Sequence, residues 1–179
     1  VAERALERFA ELDFWKWNYG ATLSVNASRL VGVTGRLDWG DQIFFGDSPF
    51  LGRGARVGLS VTLRPMARLQ SDINLDTSRL LDTRDGDLEV FNVQLVRALT
   101  TYQLTERLLF RNITEYNTFA KTLGVNLLAT YRLNAGTAVF LGYDDHYRQR
   151  DQFDQTSDEF LLATDLLRTN RAVFTKIQY

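Results

Sequence analysis

One stretch decides the fold class: residues 122–145, TLGVNLLATYRLNAGTAVFLGYDD. Every second side chain from Leu123 to Leu133 is apolar or aromatic, and the residues between them are mostly polar or glycine. A short turn at 134–136 leads into a second run of the same kind. Period-two alternation is typical of a β-strand with one apolar face, so the stretch predicts an antiparallel hairpin. Its apolar face has two candidate neighbours, a protein core or lipid.

The same alternation recurs along the chain and predicts nine strands. Most runs reach the roughly 9–11 residues that a tilted strand needs to cross the hydrocarbon layer. In one run the apolar face is ambiguous, because alternation places Arg97 on the same face as Val93 and Leu95. Either a bulge switches the faces or the arginine lies near an interface. The runs are 14–27, 31–40, 55–64, 69–77, 87–104, 106–117, 122–133, 137–143 and 171–179.

Composition removes several classes of protein. The net charge of -1 lacks the basic excess that nucleic-acid binding requires, so we expect no nucleic-acid partner. The chain has no cysteine, which excludes disulfides, thiolate metal sites and thiol nucleophiles. No apolar run approaches the roughly 18–20 residues of a transmembrane helix. A length of 179 residues suits one domain.

The connections between the predicted strands alternate between short and longer ones. Outer-membrane barrels have short periplasmic turns and longer extracellular loops, and a periplasmic C-terminus would place every short connection on that side. Within the longest connection, 144–170, Thr156 and Glu159 have the spacing of a helix capping box, which predicts a short helix over 158–167.

Aromatic side chains fall near both ends of the predicted strands. Rings at both water boundaries with aliphatic residues between them are typical of a membrane-interface belt. The predicted belt is Trp15, Trp17, Trp39 and Tyr143 on the outer side and Tyr102, Tyr131 and Tyr179 on the inner side. Together these features predict an all-β fold, a transmembrane antiparallel up-and-down β-barrel of about nine or ten strands over residues 1–179.

Closure of such a barrel requires an even strand number in bacterial single-chain proteins. Residues 1–12, which also suit a short helix, either supply a tenth strand or leave strands missing upstream of Val1. The sequence reading favours the second option, in which the chain is the C-terminal portion of a longer protein and its strands belong to a larger barrel.

The polar residues opposite the apolar faces would line the lumen of the barrel. Charges of both signs inside a wall need water or each other, so a wet or polar-plugged lumen is expected. The predicted lumen-facing residues are Arg36, Arg56, Asp72, Asn74, Asp76, Arg111, Glu115, Asn126 and Arg132.

Catalytic or metal chemistry has little support in the sequence. His146 is the one histidine, and adjacent Asp144 and Asp145 alternate in direction along a strand, so we expect no metal site and no cofactor. The acidic residues of 144–170 lack calcium-loop spacing, and a solvated loop is the preferred interpretation. A hydrolase site with Ser157 and His146 has no fixed geometry. We therefore predict no catalytic residues.

Four segments resemble the C-terminal barrel region of a bacterial family of unassigned function. They are GRGARVGLSVTLRP from Gly52, TYQLTERLLFRNITEYN from Thr101, TLGVNLLATYRLNAGTAVFLGYDD from Thr122 and RAVFTKIQY from Arg171. Longer members of that family join a carbohydrate-binding-like periplasmic domain to an outer-membrane barrel. The resemblance covers roughly three quarters of the chain, from about Gly46, and implies location and architecture but no catalytic residues.

The expected protein is therefore a Gram-negative outer-membrane barrel that acts as a passive pore, or as the anchor and conduit for a periplasmic saccharide-binding domain. Its expected partners are outer-membrane lipid and lipopolysaccharide, the barrel assembly machinery during insertion, and a periplasmic or extracellular protein. Two alternatives stay open: an outer-membrane enzyme acting on lipid or glycan through His146, and a soluble β-barrel ligand carrier.

Overall fold

The protein is all-β in its computed structural model, which describes residues 1–9, 11–46, 48–84, 86–154 and 159–179, and the side chains of these residues outside 150–165. The strands are β1 (Ala2–Phe9), β2 (Leu12–Asn26), β3 (Val31–Phe44), β4 (Phe50–Met66), β5 (Leu69–Asp82), β6 (Leu88–Gln103), β7 (Leu108–Asn117), β8 (Thr122–Arg132), β9 (Ala138–Asp154) and β10 (Glu159–Gln178).

The ten strands form one antiparallel up-and-down sheet in the order β1 to β10, so each strand is hydrogen-bonded to its neighbours in sequence. This confirms the predicted all-β, up-and-down architecture. The quoted hairpin is β8 and β9, in which Leu127 pairs with Tyr143 and Arg132 pairs with Ala138. Within the part of the chain that the structure describes, no helix has the length and hydropathy to span a bilayer.

Three expectations about the chain ends are corrected. Of the two options for residues 1–12, the structure has the tenth strand: β1 pairs with β2 from Ala2 and Tyr19 to Phe9 and Leu12. That the chain is the C-terminal portion of a longer protein stays a prediction. The helix predicted over 158–167 is wrong, because residues 159–167 belong to β10. The connection predicted over 144–170 is also wrong, because β9 runs to Asp154 and β10 begins at Glu159. The proposed cap residue Thr156 and Ser157 lie outside the described residues.

The predicted alternation of short and long connections is weaker than the sequence suggested. The two connections predicted over 45–54 and 79–86 are reduced to residues 45–49 and 83–87, because flanking glycine-containing and charged residues join the strands. The connection at 118–121 is where it was predicted. Glycine and charged residues are therefore weak signals of a strand end, because a strand continues where an adjacent strand still supplies backbone hydrogen bonds.

Four connections are closed by a short polar side chain that accepts backbone N–H groups. Asn134 Oδ1 accepts from Gly136 N at 3.0 Å, and Asn117 Oδ1 accepts from the amides of residues 119 and 120 at 3.0 Å each. Ser28 Oγ and Thr105 Oγ1 accept from the amides two and three residues later in the same way. Such bonds replace the missing strand partner at the turn, which is why these residue types predict turns.

Backbone contacts divide the chain into two units, and the first comprises Val1–Val61 and Asn74–Leu95. Its small apolar cluster contains Ile43, Phe50 and Leu80, which are the buried apolar side chains of the part of the chain that the structure describes. Phe44 stacks on Phe50 with ring centroids 5.2 Å apart, and the Arg84 guanidinium lies 3.8 Å from the Phe50 ring centroid. This unit buries little of its aliphatic surface.

Gly40 in β3 provides a test of the backbone of this unit. Its φ is +146°, and a Cβ there would lie 2.0 Å from the Trp17 carbonyl oxygen. We expect Gly40→Ala to lower the free energy of unfolding by about 1–3 kcal/mol, because an L residue is strained at that φ and the backbone must move. The measurement is urea unfolding of the chain folded in non-ionic detergent micelles.

Gly35 in the same strand is the matched control, because a Cβ there meets no atom within 4 Å. Gly35→Ala should change the unfolding free energy by less than about 0.5 kcal/mol. Equal effects of the two substitutions would contradict the backbone geometry at Gly40.

The second unit comprises Thr62–Ile73 and Val96–Tyr179. Its strands β7 to β10 pair from Leu108 opposite Tyr131 to Ile177 opposite Val139, with register shifts in β10 between Leu162 and Leu166 and between Arg168 and Asn170. Gly142 faces Phe174 across β9 and β10, and a Cβ there would lie 2.1 Å from the Phe174 ring, so the ring covers the glycine. One residue, Thr169, is inserted where the register shifts between Arg168 and Asn170.

Candidate functional site

A polar hollow of about 350 Å³ lies on one face of the first unit. We call this the polar face. Arg36, Asp38, Arg56 and Asp76 line the hollow, with two arginines balanced by two carboxylates. Arg36 Nε donates to Asp38 Oδ2 at 2.6 Å, and both side chains are substantially exposed. An exposed pair of this kind stabilises the fold by at most about 1 kcal/mol, so it is consistent with a hydrated surface.

Polar pairs also occur along β4 and β5 within each unit. In the first unit, Ser60 Oγ donates to Asn74 Oδ1 at 2.7 Å. In the second unit, Thr62 Oγ1 donates to Asp72 Oδ1 at 2.7 Å, and Gln70 Nε2 donates to Asp72 Oδ2 at 2.8 Å. Each contact joins residues of neighbouring strands or of one strand two positions apart, as the period of two requires.

A smaller polar hollow of about 200 Å³ in the second unit is lined by Glu115, Asn126, Asp144 and His146, among others. Asn126 Nδ2 donates to Asp144 Oδ1 at 3.5 Å. The His146 Nδ1 to Asp144 Oδ2 distance is 3.3 Å. The structure therefore brings two of the predicted lumen residues together with the single histidine.

The remaining predicted lumen residues are Arg111 and Arg132. Arg111 lies opposite Leu128, and Arg132 lies opposite Ala138 at the end of β8. Neither arginine has an ion-pair partner within the described residues. That the whole set lines a water-filled lumen stays a prediction.

The run in β6 with ambiguous faces has contacts in both units. In the first unit Val93 and Leu95 line the polar hollow, and in the second unit Arg97 Nε lies 3.8 Å from Glu115 Oε2. The two alternatives for this run, a bulge or an arginine near an interface, stay predictions.

In each unit, the face opposite the polar hollow carries aliphatic side chains, and we call it the apolar face of that unit. In the first unit a hollow of about 410 Å³ on this face is lined by Leu23, Leu37, Val57 and Leu59. Leu23 is 70% exposed. In the second unit a hollow of about 370 Å³ is lined by residues that include Phe110, Leu127, Leu141, Tyr143 and Val173. Leu127 is 43% exposed and Val173 is 68% exposed, so protein does not cover this face.

The predicted aromatic belt is distributed over both units. In the first unit Trp15, Trp17 and Trp39 are exposed, and the Arg4 guanidinium lies 4.4 Å from the Trp15 ring centroid. In the second unit Tyr131 and Tyr179 are exposed, whereas Tyr102 and Tyr143 are half-buried. Their position at a membrane boundary stays a prediction.

A charged cluster that the sequence analysis missed lies on the apolar face of β9 and β10. Asp145 is 1% exposed, although it was expected in a solvated acidic loop. Its Oδ2 accepts hydrogen bonds from the Tyr143 hydroxyl at 2.5 Å, the Tyr147 hydroxyl at 2.8 Å and Arg171 Nη2 at 3.0 Å. Arg168 Nε lies 3.3 Å from Asp145 Oδ1. The expectation of a solvated Asp145 is therefore wrong.

The bulge at Thr169 assembles this cluster. Arg168 and Arg171 are three positions apart, so in a regular strand they would point to opposite faces. Because Arg168 pairs with Tyr147, Asn170 pairs with His146 and Arg171 pairs with Asp145, the extra residue restores both arginines to one face. Bulges re-aim side chains in this way, and no period-two reading of the sequence could have found the site.

The sequence signal that bears on this site is the spacing of Tyr143, Asp145 and Tyr147, which places all three on one face of β9. Asp144 and His146 point to the other face, as the sequence analysis expected for adjacent residues. Among the described residues no group of three or more histidine, cysteine, aspartate or glutamate side chains is arranged to hold a metal ion.

Comparison with protein-family models, curated proteins and solved structures finds no match to this chain.

Proposed function

We propose that the chain forms the membrane-embedded barrel of a protein in the bacterial outer membrane. The observation that carries this proposal is the exposure of aliphatic side chains along the apolar face of both units, including Leu23, Leu127 and Val173. Within each unit, such exposed apolar surface is unusual on a soluble monomer and is typical of a surface that meets lipid or another protein.

The total exposed area supports the same proposal. The chain exposes 12917 Å². The scaling of surface with mass gives roughly 8,900 Å² for a soluble monomer of 20.5 kDa. The buried apolar residues of the described chain are three, Ile43, Phe50 and Leu80, which is too small a core for a water-soluble protein of this length. A hydrocarbon environment supplies the missing burial.

The polar face supports a water-filled lumen. The larger polar hollow balances Arg36 and Arg56 against Asp38 and Asp76, so it has no net charge from these groups. A lumen lined in this way would pass small hydrophilic solutes with little preference between cations and anions. The resemblance of the four sequence segments adds the second version of the proposal, in which the barrel anchors a periplasmic saccharide-binding domain.

Planar-bilayer recording of the full-length protein separates these two versions. A pore is expected to produce stepwise conductance, with a cation-to-anion permeability ratio within about threefold of unity, because the polar face mixes both charges. Stable insertion without conductance steps would leave the anchoring function alone.

Solubility tests the proposal against its soluble alternative. We expect the refolded chain to require detergent micelles or lipid vesicles and to be protected from protease there. A monomer that stays dissolved in plain buffer would instead identify a soluble ligand carrier and overturn the membrane proposal.

A further inference from the structure

We propose that the Asp145 cluster and the apolar hollow beside it form a binding site for one phosphorylated membrane lipid. This inference rests on the proposed membrane location. The lipid it fits has a phosphate headgroup and acyl chains, as the lipid anchor of lipopolysaccharide does. The headgroup would contact Arg168 and Arg171, and acyl chains would occupy the hollow next to Tyr143.

Charge is the first argument for this ligand. Two guanidinium groups surround one carboxylate, so the cluster keeps one excess positive charge. Arg171 donates hydrogen bonds from Nε and Nη2 to Asp145 Oδ2, at 3.3 and 3.0 Å. Arg168 faces Asp145 Oδ1, yet that oxygen accepts no hydrogen bond within the described residues. Within the described residues, Arg168 therefore donates no hydrogen bond to Asp145 Oδ1, and a phosphate oxygen is an acceptor that matches its N–H groups.

Exposure is the second argument. The side chains of Arg168 and Arg171 are 47% and 46% exposed, whereas that of Asp145 is 2% exposed. The arginines thus cover the carboxylate and present their outer edges to the surroundings. The two tyrosine hydroxyls fix Asp145, and Asp145 in turn holds the guanidinium groups in position, so the carboxylate orients the two arginines.

The adjoining hollow is the third argument. It is about 370 Å³ in volume, and Tyr143 belongs both to its wall and to the charged cluster. The wall continues away from the arginines through Val173, Leu141 and Phe110. The cationic cluster therefore adjoins the apolar hollow, just as the phosphate of a lipid adjoins its acyl chains. With the C-terminus of β10 on the periplasmic side, the cluster would lie towards the outer leaflet.

The test is native mass spectrometry of the full chain in non-ionic detergent, titrated with diphosphoryl lipid A and with its dephosphorylated form. We expect a preference of about tenfold or more for the phosphorylated lipid, because each charge-assisted hydrogen bond to phosphate contributes roughly that factor. Arg168→Gln should remove most of this preference, and Arg168→Lys should retain part of it. Arg132→Gln, on the opposite face, is the matched control and should bind like the unchanged protein.

Three results would overturn the site. They are equal lipid preference in Arg168→Gln and the unchanged protein, binding of inorganic phosphate with no preference for phosphorylated lipid, and a dimer that Arg168→Gln dissociates. The outcome is separable from the membrane proposal, because insertion of the same proteins into vesicles of neutral lipid is measured in parallel. Insertion with unaltered lipid preference removes only the site, whereas failure to insert removes the proposed function.

Discussion

Leu127→Arg is expected to destabilise the folded chain in a lipid bilayer by about 2–4 kcal/mol, because an arginine near the midplane of the lipid face of a barrel must be partly dehydrated. Leu127 is the sixth residue of the eleven-residue strand β8 and belongs to the wall of the apolar hollow. Reversible urea unfolding in vesicles, followed by tryptophan fluorescence, measures the change.

The control is the preceding residue on the other face. Asn126 already contacts Asp144, so Asn126→Arg places a cation beside a carboxylate on the polar face and should change the unfolding free energy by less than about 0.5 kcal/mol. A water-soluble fold predicts a different pair of results, since Leu127 is 43% exposed and its replacement by arginine at a wet surface would cost little. Two small, similar effects would therefore refute a lipid-facing β8.

Asp145→Ala should be the second large perturbation. The substitution leaves Arg168 and Arg171 facing each other without the carboxylate, and it removes the acceptor of both tyrosine hydroxyls. Removing one partner of a buried, hydrogen-bonded ion pair is far more costly than removing the whole pair. We expect the urea midpoint in micelles to fall by about 1–2 M.

Asp144→Ala is the matched control for this substitution. Asp144 is adjacent in sequence, has the same charge and lies on the polar face, where it pairs with His146 at 3.3 Å. Its loss should shift the midpoint by no more than about 0.3 M, because the pair is partly exposed. Similar shifts for the two aspartates would show that Asp145 is not the buried centre of a cluster. The difference is informative because the two residues share composition, charge and sequence context.

The period of two was sufficient to identify most of the strands and both of their faces. In β8 the alternation of Leu123, Val125 and Leu127 with Asn126 predicted which side chains share a face, because the side chains of a strand alternate between its two faces. The short turns were equally readable, since Asn134 and Ser28 provide side-chain acceptors for the turn amides.

Residues 144–170 were misread for a physical reason. Their sequence is charged, and charge usually signals a solvated loop or a surface helix. In β9 and β10 the two strands supply each other's backbone hydrogen bonds from Ala138 to Asp154, so polar side chains are carried on an extended hairpin. The composition of a segment does not show which distant segment it pairs with.

By itself, the sequence determined the all-β class, the antiparallel neighbours and which side chains share a face, because these follow from a strand's alternation and from short turns. Tertiary structure alone decided the neighbours of individual charges. Asp145 is buried because one inserted residue at Thr169 turns Arg168 towards it from the adjacent strand. A bulge has no distinctive residue type in the sequence. Its effect on the direction of the flanking side chains is visible only once the two strands are paired.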